Sequence, residues 1–157
     1  MVTIGQSFTA CRDGQIEFIK IRVNTMDPGP QSTILKIARG ANTSSNVLHT
    51  QNVTFNGMGD ITIRLNRSLP VINGAVYSFS LGGSGDAFNI GYSTSLGDVY
   101  TGGTLFRNTT PIPTGDLYFR IGFGAVFIPT MGQWSLFIFG RLILNMGVFS
   151  IRRRVLV

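Results

Sequence analysis

Side chains able to do chemistry are few in this chain. One cysteine, Cys11, and one histidine, His49, stand among seven acids: Asp13, Glu17, Asp27, Asp60, Asp86, Asp98 and Asp116. A single histidine leaves no His pair for zinc and little material for a triad. No Gly-x-Ser-x-Gly elbow occurs. The acids are scattered among turns and strand edges, with no spacing that suggests paired carboxylates for glycoside hydrolysis. The chain therefore reads as non-enzymatic. His49, within Val47-Leu48-His49-Thr50, reads as a strand residue that faces solvent or is satisfied in a partial core. Glu17 lies amid basic neighbours and reads as an ion-pair partner. Cys11 reads as a small buried or edge residue with no partner in the chain. No cofactor is implied beyond a structural calcium. Gly83-Ser84-Gly85-Asp86 and Leu96-Gly97-Asp98 set acids in Gly-rich loops of the kind that offer calcium oxygens, although turn formation explains the same residues.

Sugar binding is the sharpest ligand chemistry in the sequence. It needs exposed aromatic faces beside polar groups. The single tryptophan, Trp134, lies outside the main body, so the candidate glycan platforms are Tyr92, Tyr100 and Tyr118. Asn89, Asp98, Asn108 and Arg120 are the polar residues near them in sequence. Cross-strand packing is the competing role for all three tyrosines.

The elements that must position these residues are strands. Ile61-Thr62-Ile63-Arg64-Leu65-Asn66 alternates apolar and polar, the period of a half-buried strand. Asp116–Phe123 does the same, with Leu117, Phe119, Ile121 and Phe123 on one face and Tyr118 and Arg120 on the other. Tyr77–Leu81 and Phe88–Tyr92 repeat the pattern. Gln15–Asn24 changes phase at Phe18-Ile19, which predicts a β-bulge there. Thr33–Arg39 and Val47–Phe55 bring the set to roughly eight strands. Asp13-Gly14, Asn56-Gly57 and Asn73-Gly74 mark tight turns, and Asp27-Pro28-Gly29-Pro30 a loop. No crossover helix separates the runs. The expected fold over residues 1–127 is all-β: an antiparallel β-sandwich of jelly-roll or Greek-key type.

Charge divides the chain in two. The formal net charge is +6, with 13% charged residues. Residues 1–127 hold nine Lys/Arg against all seven acids, so their net charge is +2; residues 128–157 hold four Arg and no acid, so theirs is +4. A nearly neutral body argues against nucleic acid as a partner. Residues 134–151 run WSLFIFGRLILNMGVFSI, with no acid and no proline. As a helix this run spans roughly 27 Å, the thickness of a bilayer core. Arg141 within it costs about 2.5–3.5 kcal/mol, which the ten large apolar residues around it outweigh at about 0.3–0.6 kcal/mol each. Arg152, Arg153 and Arg154 follow at once. By the positive-inside rule they stay cytoplasmic and set the β-domain on the far side of the membrane.

The order Ile128-Pro129-Thr130-Met131, then Trp134, an apolar span and an arginine cluster resembles the IPTL-type C-terminal sorting domain, one of the exosortase-like sorting tails of bacterial surface proteins. It departs from that pattern at Gly132, Ser135 and Arg141. The resemblance covers about 30 residues, 128–157. It implies export, a transmembrane helix over 134–151, a basic tail over 152–154, and recognition of the motif by sorting or processing machinery. The partners it implies are membrane lipid and that machinery; a glycan or extracellular matrix is expected on the outer side from the tyrosines and the surface role, not from the resemblance. The implied place is the cell envelope: anchored in the inner membrane with the β-domain outside the cytoplasm, or passed on to the surface. Residues 1–10 show no signal-peptide pattern, which points to an N-terminal truncation of an exported protein.

Overall fold

Twelve strands, every pair antiparallel, make up the described residues 2–82, 88–93 and 100–124 of the computed structural model. They are β1 (Thr3–Thr9), β2 (Gly14–Met26), β3 (Gln31–Arg39), β4 (Val47–Phe55), β5 (Gly59–Val71), β6 (Val76–Gly82), β7 (Phe88–Ile90), β8 (Tyr92–Ser93), β9 (Leu105–Arg107), β10 (Thr110–Ile112), β11 (Asp116–Leu117) and β12 (Phe119–Gly124). A six-stranded sheet runs β10-β9-β1-β6-β3-β4. A four-stranded sheet runs β12-β2-β5 with β7 also on β2, and β11 pairs with β8. The all-β, antiparallel expectation is met. Among the described residues no helix is long and apolar enough to cross a membrane. The expected sorting motif, helix 134–151 and basic tail lie outside the described residues.

The core lies between the two larger sheets. Ile19, Ile21, Val23 and Ile63 point inward from one; Leu35, Ile37, Phe79 and Leu81 point inward from the other. Rings cross the gap: Phe119 lies 5.5 Å from Phe79 and 6.4 Å from Phe8, centroid to centroid. Full burial of each such side chain contributes about 1.5–3 kcal/mol. The phase change in β2 is resolved by a bulge, one residue earlier than the sequence suggests. Ile16 faces Phe123 and Phe18 faces Gly122, so Glu17 is the extra residue. The same step interrupts the pairing with β5. The bulge lets Ile16 share the inward face with Ile19 and Ile21.

Three strand expectations are corrected. Thr3–Thr9 is not among the runs read as strands from the sequence, yet it is a central strand between β6 and β9. Tyr77–Leu81 alternates, yet Ser78 and Ser80 are as buried as Phe79. Their face is narrow and small, and other segments close over it: Thr43 Oγ1 meets Ser80 Oγ at 2.7 Å, while the Phe106 ring occupies the space a Cβ on Gly5 would take. Finally, Phe88–Tyr92 and Asp116–Phe123 are each two strands. Gly91 and Tyr118 are the corners, and they hold each other: the Tyr118 N–H donates to the Gly91 carbonyl at 3.0 Å. The space on Gly91 that a Cβ would need is filled by the Tyr118 ring and the Asn24 amide. Each run thus leaves one sheet and joins another at the same level.

Candidate functional site

The corner at Tyr118 forms one wall of a cleft of about 570 Å³. Phe8, Thr9 and Cys11, at the end of β1 and the turn after it, face Tyr100, Asp116 and the segment from Leu117 to Phe123. The walls are mostly apolar and aromatic, as binding clefts tend to be. Alternation aims Phe119, Ile121 and Phe123 toward the core, and Tyr118 and Arg120 outward. Tyr118 is 51% exposed. The Arg12 guanidinium lies 5.0 Å from the centroid of the Phe123 ring, a cation–π contact at the cleft.

A buried polar staple holds this wall in place. The Gln6 amide donates from Nε2 to Asp116 Oδ1 at 2.9 Å, and its Oε1 accepts from the Leu117 N–H at 3.0 Å. Asp116 Oδ2 accepts from the Tyr100 N–H at 2.9 Å. Both Gln6 and Asp116 are buried. Buried polar atoms persist where they are paired, and these pairs tie β1, β11 and the Tyr100 segment together. Sequence reasoning missed the staple. Gln6 and Asp116 lie 110 residues apart, and a lone glutamine carries no signal.

The three tyrosines do not form one platform. Tyr100 and Tyr118 line the same cleft, but only Tyr118 offers an open face. Tyr100 is half-buried. Its hydroxyl accepts from the Thr9 N–H at 3.3 Å, and its ring stands edge-on to Phe119 at 5.4 Å. Tyr92, 46% exposed, lines a separate depression of about 270 Å³ with Asn89 and Arg107. Arg120 is exposed beside Tyr118. Asn108 is set apart, with its Oδ1 accepting from the Thr3 N–H at 3.0 Å. Asp98 lies outside the described residues.

A second, shallower depression adjoins the cleft. It shares Tyr118, Phe119 and Arg120 with the cleft and adds Lys20, Arg22 and Asp60. Asp60 lies 3.1 Å from Lys20 Nζ and 2.9 Å from Arg22 Nε. The Arg22 hydrogen bond, then that of Lys20, holds the Asp60 carboxyl below the ordinary aspartate range. The ion pair expected of Glu17 is absent among the described residues; Asp60 takes that role with Lys20 and Arg22.

His49 is buried, with Nε2 3.1 Å from Gln51 Oε1. That is the satisfied partial-core role. Cys11 is exposed, not buried, because it sits in the turn between β1 and β2. Among the described residues no group of three or more His, Cys, Asp or Glu could hold a metal. Both loops considered for calcium lie outside them. No protein-family model matches the chain, and no curated protein matches it significantly.

Proposed function

We propose that this chain is an exported bacterial cell-surface protein, anchored or sorted through its C-terminal segment, with a structural and adhesive β-sandwich as its ectodomain. The observation that carries the reading is the order of parts in one chain. A β-sandwich is followed by Ile128-Pro129-Thr130-Met131, Trp134, an apolar run and Arg152-Arg153-Arg154. Residue 128 before proline is biased to extended backbone, so the motif would present a strand-like peptide just outside the membrane. The helix over 134–151 would fix its depth, and the arginines would stop transfer. A jelly-roll or Greek-key path belongs to the same proposal. The test is fractionation of cells expressing the full chain behind a secretion leader, against a deletion of 134–157. The full chain is expected in the membrane fraction and the deletion in the soluble one. Equal solubility refutes the anchor.

The cleft favours a second reading, a carbohydrate-binding module. Tyr118 offers an open ring face, Arg120 a polar rim, and Phe119 and Tyr100 the walls. A glycan array probed with the full chain in non-ionic detergent, with and without calcium, tests it. Binding that is lost in Tyr118→Ala supports it. No binding to any glycan refutes it.

A further inference from the structure

The outer face of the β12-β2-β5 sheet gathers the net positive charge of residues 1–127. Register sets Arg120 directly opposite Lys20, and Arg22 directly opposite Asp60. Arg64 follows, opposite Phe18. Four cations thus share this face with Asp60 and, at its far end, Glu17 packed against Gly124. Asp60 is engaged by Lys20 and Arg22, while Arg120 makes no ion pair among the described residues.

Like charges facing each other across a ladder destabilise it. Arg120 and Lys20 are such a pair, on strands about 4.8 Å apart. An anion laid between them would relieve the repulsion and gain charge-assisted hydrogen bonds from both sides. Tyr118 ends this row with its ring open to solvent, and it borders both the cleft and the depression over Lys20 and Arg22. A flat apolar plate beside a divided pair of cations matches a sugar ring that carries an acid group. We infer that this face binds an anionic polysaccharide, with a ring on Tyr118 and a carboxylate or sulfate between Arg120 and Lys20. The inference rests on the carbohydrate reading and narrows it to acidic glycans. A nucleic acid is the less fitting occupant: the face has few cations, two acids and a single open aromatic ring among its described residues.

The test is titration of the full chain, in non-ionic detergent, with four probes: polygalacturonate, dextran sulfate, neutral dextran and a single-stranded oligonucleotide. One or both acidic polysaccharides should bind at least about tenfold tighter than neutral dextran, and the tighter of the two identifies the acid group. Affinity should fall as sodium chloride rises from about 50 to about 300 mM, because the charges are exposed to screening. Arg120→Gln should weaken acidic binding about tenfold, the loss of one charged hydrogen bond. Asp60→Asn frees Lys20 and Arg22 and should strengthen it about two- to fivefold, a gain that misfolding would not produce. Neutral dextran binding as tightly as the acidic probes overturns the inference and leaves the carbohydrate reading standing. So does unchanged affinity in both variants. Binding to no polysaccharide overturns both. An oligonucleotide bound tighter than every polysaccharide overturns the inference in favour of nucleic acid.

Discussion

Replacing Asp116 by alanine should cost more stability than any exposed substitution on the same wall. The carboxylate is buried and accepts from Gln6 Nε2 and the Tyr100 N–H, each at 2.9 Å. Alanine leaves both donors without that acceptor. Gln6 is buried as deeply as the core residues, so water does not replace the lost acceptor freely. Each orphaned buried donor costs about 1–3 kcal/mol, so Asp116→Ala should lose about 2–6 kcal/mol. That is a large share of the roughly 5–15 kcal/mol typical of a folded domain. Asp116→Asn keeps one acceptor oxygen and turns an N–H₂ toward one of the two donors, so about half the loss is expected. Gln6→Ala removes the partner on β1 and strands the Leu117 N–H. Combining Gln6→Ala with Asp116→Ala should therefore cost less than the two losses added, by about 1–3 kcal/mol. Urea unfolding followed by far-ultraviolet circular dichroism measures all four quantities. A loss below about 1 kcal/mol for Asp116→Ala, or strict additivity, would refute the view that this staple fixes the cleft wall.

Other expectations follow from single sites. Ser78 Oγ is buried with no hydrogen-bond partner among the described residues, so Ser78→Ala should raise stability by about 1 kcal/mol in the same urea assay; a loss of that size would contradict the burial argument. Gly103 lies against the Ser7 backbone, where a Cβ would collide with the carbonyl. Gly103→Ala should cost about 2–3 kcal/mol, and a neutral result would show that the strand and loop stand further apart. The Asp60 carboxyl titrates below the ordinary aspartate value because Arg22 and Lys20 bond its charged form. Its stabilising share is present above the unfolded aspartate pKa and is lost as pH falls through the lower folded value. Carbon-detected NMR titration should show that lowered midpoint, and Arg22→Gln should raise it; an ordinary midpoint in the parent chain contradicts the ion pair.

Much of the fold was legible because half-buried strands write their period into the sequence. Ile61–Leu65 alternates as β5 does, and the phase change near Phe18 announced a bulge that the structure places at Glu17. Legibility failed where burial was not one-sided. Ser78 and Ser80 look solvent-facing, but the segment around Thr43 and the Phe106 ring cover them. It failed again at Gly91 and Tyr118, because a change of sheet leaves alternation intact and so leaves no mark. For the site, parity correctly set Tyr118 and Arg120 outward. The burial of Tyr100 depended on Thr9 and Phe119, and the Gln6–Asp116 staple on segments far apart in the chain. The facing of Arg120 and Lys20 is a matter of register, which composition does not encode. The net +2 of the body is thus gathered on one face, which total charge alone does not locate.

The proposal that the β-sandwich stands outside the cytoplasmic membrane on a C-terminal anchor has one direct test. Cys11 is the sole cysteine of the chain and is exposed in the β1–β2 turn, so it reports which side of the membrane the sandwich occupies. Spheroplasts expressing the full chain behind a secretion leader would be treated with a membrane-impermeant maleimide, before and after lysis. The account predicts complete labelling of Cys11 before lysis, with the labelled protein in the membrane pellet and labelling lost in Cys11→Ser. Labelling only after lysis, or labelled protein that stays soluble, would contradict it.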